Sequence, residues 1–268
     1  MIQVIAHRGA RSIAPENTMA AVKKAFETGA SLWETDVNIT EDGQLVLFHD
    51  KDLLRCTNAA SVFPSRSSYL LRDFSLKEVQ SLDAGSYFAD ADPFAQISKG
   101  HVTKETAVSF KKEGVPSLEQ GLVFTKKMNW KVNLELKDYS SGLKDGDIPD
   151  KTLDAIYHTK IALNRVIISS FNHDWLKRVM EKEPDIEVQA LIGENDTDPL
   201  DFGDLEFSTY NANALCIDPD QIKHLKALGK KINLFTINDP KEFLRFVKIG
   251  VDGIFTDFPQ IFVQGSSK

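Results

Sequence analysis

The sequence predicts an α/β fold: a (β/α)₈ barrel carrying a small insertion after its second-strand hairpin. Three observations predict it. Short apolar runs begin near residues 2, 32, 131, 166, 187, 214, 232 and 253, mostly separated by segments of helical periodicity. Strands apolar along their whole length belong to a parallel sheet covered by helices, and eight in a chain of 268 residues match a closed barrel. Two consecutive units also repeat each other. Asp218-Pro219 and Asp239-Pro240 each open a helix, which Gly229 or Gly250 stops. The rival fold, an open doubly wound sheet, lacks its G-x-G-x-x-G or P-loop signature here.

Taken in order, Ile2 to Ala6 is a buried strand that delivers His7, Arg8 and Gly9 at its C-terminal end. Asn17 or Thr18 caps a helix with Met19, Val22 and Phe26 on one face, and Gly29 stops it. Leu32 to Thr40 is the second strand and Leu45 to Phe48 its return. Residues 51–115 then lose sustained periodicity, apart from a capping box at Ser75-Leu-Lys-Glu78. That length is too great for an ordinary loop, so 51–115 is read as an inserted lobe within a single domain spanning 1–268. Regularity returns with a capping box at Ser117-Leu-Glu-Gln120. A strand over 131–137 and a helix from Thr152 to Leu163 follow. Next come a strand at Val166–Phe171, a helix capped by Asn172, and strands at 187–192, 214–217, 232–237 and 253–257.

The second-strand hairpin gathers chemistry. Asp42-Gly43 is a two-residue turn signal, and it sets a register that places Asp36 opposite His49. Glu34 and Asp36 share a face because strand side chains alternate, and the facing histidine joins them. A Glu-x-Asp pair on a solvated edge would be unremarkable. Here Trp33, Val37, Leu45, Leu47 and Phe48 make the ribbon too apolar for that. Buried carboxylates this close need a cation or a proton between them.

Barrel enzymes place their chemistry at the C-terminal strand ends. The first strand offers His7 and Arg8 there, the second Glu34 and Asp36, and the third Glu135 and Lys137. Later strands offer Ser170-Phe171, Asp218, Asn238 and Asp257. Three carboxylates with room for water suit Mg²⁺ or Ca²⁺, two cations suit an anion, and two imidazoles suit an acid and a base. Together they describe metal-assisted phosphoryl transfer. Bland readings stand beside these. Arg8 could clamp its loop by bonding Glu16, Lys137 could pair structurally with Glu135, and Asp218 and Asp239 are chiefly helix caps. His101, His158, His173 and His224 are read as surface residues.

The net charge of −7 argues against a nucleic-acid partner without excluding an anionic substrate. Cys56 and Cys216 make no disulfide framework or metal motif, so a reducing, cytoplasmic compartment is expected. No run of apolar residues is long enough to span a membrane, and Met1-Ile-Gln-Val-Ile-Ala-His7 has no basic region of the kind that opens a signal peptide.

These residues spell a pattern: His7-Arg8-Gly9, Glu16-Asn17-Thr18, Glu34-Thr-Asp36, His49-Asp50, Pro116-Ser-Leu-Glu119, Asn133-Leu-Glu135-Leu-Lys137, Ser170-Phe171 and Gly253-Ile-Phe-Thr-Asp257. In this order the chain resembles the glycerophosphodiester phosphodiesterase family over its whole length. The resemblance implies a TIM barrel that hydrolyses a glycerophosphodiester to sn-glycerol 3-phosphate and an alcohol. It implies one divalent cation held by Glu34, Asp36 and Glu135, a catalytic pair in His7 and His49, and phosphate contacts from Arg8 and Lys137. Phe171 and Phe235 are expected on the substrate side. Phe235-Thr-Ile-Asn238 stands where the family commonly has Trp-Thr-x-Asn, which touches head-group preference rather than chemistry. A cyclising or lysophospholipase D-like enzyme acting on a lysophospholipid, and a non-catalytic phosphodiester-binding module, are the rival functions. The sequence leaves head group and oligomeric state open.

Overall fold

The computed structural model describes residues 2–139, 147–197 and 199–263. Nine strands form one sheet: β1 Gln3–Ala6, β2 Leu32–Ile39, β3 Leu45–Leu47, β4 Val132–Leu136, β5 Val166–Ser170, β6 Glu187–Ile192, β7 Thr209–Asn213, β8 Lys231–Phe235 and β9 Gly253–Thr256. Eight of them are parallel and close into a ring, since β1 pairs with β9 on one side and with β2 on the other. The ninth, β3, lies outside the ring. It can pair there because β1 ends at Ala6, opposite Trp33, and leaves the far end of β2 with an open edge.

Outward strand residues such as Val4, Trp33, Leu134, Ile168, Tyr210 and Leu234 pack with the helices into one apolar layer. The interior is different. Ile5, Leu32, Ile167 and Phe255 form a small apolar plug. Beside it Asn133, Ser169, Gln189, Asn211 and Asn233 are buried and linked by side-chain hydrogen bonds. Helix signals read from the sequence are present as atoms. Ser75 and Ser117 make reciprocal capping boxes, Thr18 caps the first helix, and Asp218 and Asp239 cap helices with proline in the first turn.

Three expectations need correction. The hairpin register differs by one residue: Val37 faces Leu47, and the Phe48 N–H bonds to the Asp36 carbonyl at 3.0 Å. Only Gly43 takes a positive φ (72°), and its N–H closes the turn on Thr40 at 3.0 Å. The Thr40 hydroxyl donates to Asp42 and accepts the Gln44 N–H, which favours a three-residue loop over the two-residue turn. The strand expected at 214–217 is instead a turn, with the Cys216 and Ile217 N–H groups bonded to the Asn213 carbonyl. The strand itself is β7. Its inward residues Asn211 and Asn213 are polar, so no apolar run marks it. The helix expected at 152–163 runs from Asp147 to Thr159.

Within 51–115 the described residues hold short helices at Ala59–Val62, Leu76–Gln80, Ser86–Ala91 and Lys104–Ser109, with no strand among them. Their apolar sides pack on Val46 and Phe48 and, in a second cluster, on Ala14, Ala20 and Ala21.

Candidate active site

The first strand ends in a sharp turn. Arg8 (φ 53°) and Gly9 (φ 78°) are both left-handed, and the Gly9 N–H bonds to the Ala6 and Glu34 carbonyls. A Cβ on Gly9 would lie 2.7 Å from the backbone of Ala21, so only glycine lets the first helix approach. This turn presents His7 and Arg8 to a cavity of about 550 Å³, which Glu34, His49, Glu135, Lys137, Phe171 and Phe235 also line. His49 reaches the cavity despite the corrected register. The chain leaves the ladder after Leu47, and the Tyr139 hydroxyl donates to the His49 carbonyl at 2.6 Å.

Oxygens of Glu34, Asp36 and Glu135 lie within 4.8 Å of one another, all buried. Burial, then the charges of Asp36 and Glu135, push the Glu34 carboxyl well above its ordinary range. Burial also pushes Asp36 up, but Lys137 and Arg8 more than reverse this and hold it well below the usual carboxylate range. Lys137 Nζ stands 3.0 Å from Asp36 Oδ1 and also bonds Glu135, while Arg8 Nε lies 3.2 Å from Asp36 Oδ2. Glu34 Oε2 accepts the Arg8 N–H at 2.8 Å, but Glu34 Oε1 is buried without a hydrogen-bond partner. An orphaned, desolvated carboxylate oxygen facing two more carboxylates fits a hard divalent cation.

Each histidine has a carboxylate behind it. His7 Nδ1 lies 2.7 Å from Asp257 Oδ1, and His49 Nδ1 lies 2.7 Å from Asp50 Oδ1. Burial, and after it the Arg8 charge, lower His7 to about 4, so its imidazole is neutral near pH 7. Burial raises Asp257, but the bond from His7 and the charge of Arg11 hold it at about 2. The bonds from His49 and Arg55 do the same for Asp50, again at about 2. An ionised carboxylate only accepts, so in each pair Nδ1 carries the proton and Nε2 is the working nitrogen.

Sequence reasoning gave no site role to Asp50, Arg11 or Arg55, read Asn17 only as a candidate helix cap, and offered Asp257 only as a polar residue at a strand end. Asn17 donates to Asp36 Oδ2 and accepts from the Thr35 hydroxyl, both at 2.8 Å. Asp50, Asn17 and Asp257 sit inside the quoted motifs. Arg11 and Arg55 carried no signal beyond their charge. The clamp between Arg8 and Glu16 is real, at 2.9 Å, and coexists with the contact to Asp36. Of the histidines expected on the surface, His101, His158 and His224 are exposed. His173 is half-buried, with Nε2 bonded to the Leu191 carbonyl at 3.0 Å and its ring against Phe207.

Residues 7–261 match the model of the glycerophosphoryl diester phosphodiesterase family. The chain belongs to this family. This family member is 32% identical over 262 residues to a glycerophosphodiester phosphodiesterase of Caldanaerobacter subterraneus, covering 97% of this chain and 96% of that one. A glycerophosphodiester phosphodiesterase of Bacillus altitudinis is 31% identical over 267 residues, with the same coverage. Among solved structures, an Oleispira antarctica phosphodiesterase in complex with its product sn-glycerol 3-phosphate superposes with a TM-score of 0.80. It shares 26% identity over 98% of this chain and 96% of that one. No helix among the described residues is long and apolar enough to cross a membrane.

Proposed function

We propose that this enzyme hydrolyses glycerophosphodiesters to sn-glycerol 3-phosphate and an alcohol, with one divalent cation, Mg²⁺ or Ca²⁺, and two histidines. The observation that carries it is the shared cavity: two carboxylate-backed imidazoles, two cations and the acidic triad line or border one space. The related phosphodiesterase bound to sn-glycerol 3-phosphate supports the substrate class.

Glu34, Asp36 and Glu135 would hold the cation, which would supply positive charge to the phosphodiester oxygens. Arg8 and Lys137 neutralise the remaining anionic charge as it grows. His7, neutral and fixed by Asp257, accepts the proton of the nucleophile, either water or the substrate's own glycerol 2-hydroxyl. His49, held by Asp50, gives a proton to the departing alkoxide. Phe171 and Phe235 meet edge to face, with ring centres 6.1 Å apart, and present an apolar wall to the carbon part of the substrate. Residues 51–115 form a lobe beside the mouth within the single domain. Two cysteines in 268 residues, in no metal-ligand spacing, support a reducing, cytoplasmic setting.

Phosphorus NMR of the products tests this reading. Glycerophosphocholine should give glycerol 3-phosphate, and lysophosphatidylcholine should be left largely intact. A cyclic phosphate as final product, or preferential cleavage of the lysophospholipid, would favour the rival enzymes. No turnover of any diester would favour the binding module.

A further inference from the structure

The two histidine–carboxylate pairs are joined on their far sides. Asp50 accepts from both Nε and Nη2 of Arg55, at 2.6 and 2.9 Å. Asp257 Oδ1 lies 3.1 Å from Arg11 Nε. Both guanidiniums then turn to one carboxylate. Arg55 bonds Glu16 Oε2 at 3.1 Å and Oε1 at 2.6 Å, and Arg11 Nη1 stands 3.7 Å from Oε2. The Glu16 side chain is only 7% exposed, a position a carboxylate tolerates only with partners. Three residues of the 51–115 segment touch this junction. Arg55 is one, the Tyr87 hydroxyl accepts the Glu16 N–H at 3.0 Å, and the Phe94 ring lies 5.0 Å from the Arg11 guanidinium.

A carboxylate bonded only to a histidine is free to rotate and let the ring swing. The two-pronged Arg55 guanidinium fixes the plane of the Asp50 carboxylate, and hence the direction of His49 Nε2, while Arg11 steadies Asp257 by an ion pair through Nε alone. Bringing both guanidiniums to one carboxylate also ties the two imidazoles to each other, although the carboxylates behind them, Asp50 and Asp257, lie far apart in the chain.

We propose that Glu16 is the common anchor of both histidines, acting through Arg55 and Asp50 on His49 and through Arg11 and Asp257 on His7. The inserted segment thereby supplies a positioning residue, Arg55, to the reaction. The proposal rests on His7 and His49 being the acid–base pair.

Proton NMR of the cation-loaded, full-length protein tests it. An Nδ1–H bonded to a carboxylate resonates far downfield, and the two signals are assigned by their loss in His7→Ala and His49→Ala. Arg55→Met should shift the His49 signal alone and lower kcat about 10- to 100-fold with little change in KM, the usual worth of an outer partner. Arg11→Met should shift the His7 signal alone. Glu16→Gln should shift both. A Glu16→Gln protein with either signal unmoved would overturn the proposal. If that variant does not fold, the arginine variants decide, and either one leaving its own histidine's signal in place overturns it. Full activity in His7→Ala or His49→Ala would defeat the acid–base reading, yet leave the NMR test of the anchor standing.

Discussion

Asp257→Asn tests how His7 is made a base. The Asp257 carboxylate accepts from two donors, His7 Nδ1 and Asn238 Nδ2, both at 2.7 Å, and is ion-paired with Arg11, whose Nε lies 3.1 Å away. Asparagine offers one oxygen and an NH₂, so one side must set donor against donor. Asn238 cannot flip to help, because its Oδ1 accepts from the Asp257 N–H and the Thr256 hydroxyl. His7 can, by moving its proton to Nε2, and that tautomer has no lone pair for the nucleophile. An inverted tautomer of a catalytic histidine costs about 10⁴ in rate, and an acid–base group is worth at least about 10². The expected fall in kcat is therefore roughly 10²- to 10⁴-fold, or about 3–5 kcal/mol in the barrier. KM should change little, since Asp257 touches neither Arg8 nor Lys137 through any of these bonds. The assay is glycerol 3-phosphate release at saturating cation, with circular dichroism as the folding control. A folded variant within about threefold of the parent kcat would refute the assignment of His7.

His49→Ala should slow glycerophosphocholine hydrolysis roughly 10²- to 10⁴-fold but a glycerol nitrophenyl phosphate far less, because a nitrophenolate leaves without a proton. Equal losses would show that His49 is not the acid. The raised Glu34 carboxyl means that the metal-free folded protein keeps a proton the unfolded chain has lost, so this stability falls as pH rises through the raised value. A cation must displace that proton, so the Tm gain from added Mg²⁺ or Ca²⁺ should grow as pH rises above the ordinary carboxylate range. A gain that is constant, or largest at the acid end, would contradict the site. Gly9→Ala forces a left-handed alanine and a 2.7 Å contact with Ala21, so urea unfolding should show a loss of about 2–5 kcal/mol. A change under about 0.5 kcal/mol would mean that the turn relaxes freely.

What the sequence displays depends on which physical rule writes it. Strands buried on both faces leave apolar runs, and helix ends leave caps, so seven of the barrel strands and the Asp-Pro units were legible. β7 was not, because its inward asparagines belong to the polar barrel interior. The hairpin register turned on Thr40 and Asp42 side-chain bonds, which a turn-residue rule does not weigh. In the site, residues two apart on one strand announced themselves: Glu34 with Asp36, and Glu135 with Lys137. The groups behind the histidines did not. Arg11, Glu16 and Arg55 lie outside the barrel strands and meet only after folding, so no period or spacing links them.

The most direct test of the central claim is glycerol 3-phosphate release from glycerophosphodiesters by enzyme stripped with EDTA and then reloaded. The acidic triad predicts almost no release after chelation and recovery on adding Mg²⁺ or Ca²⁺ to the parent protein, with Glu34→Gln recovering only in part. Full release by enzyme shown by elemental analysis to hold no metal would contradict it.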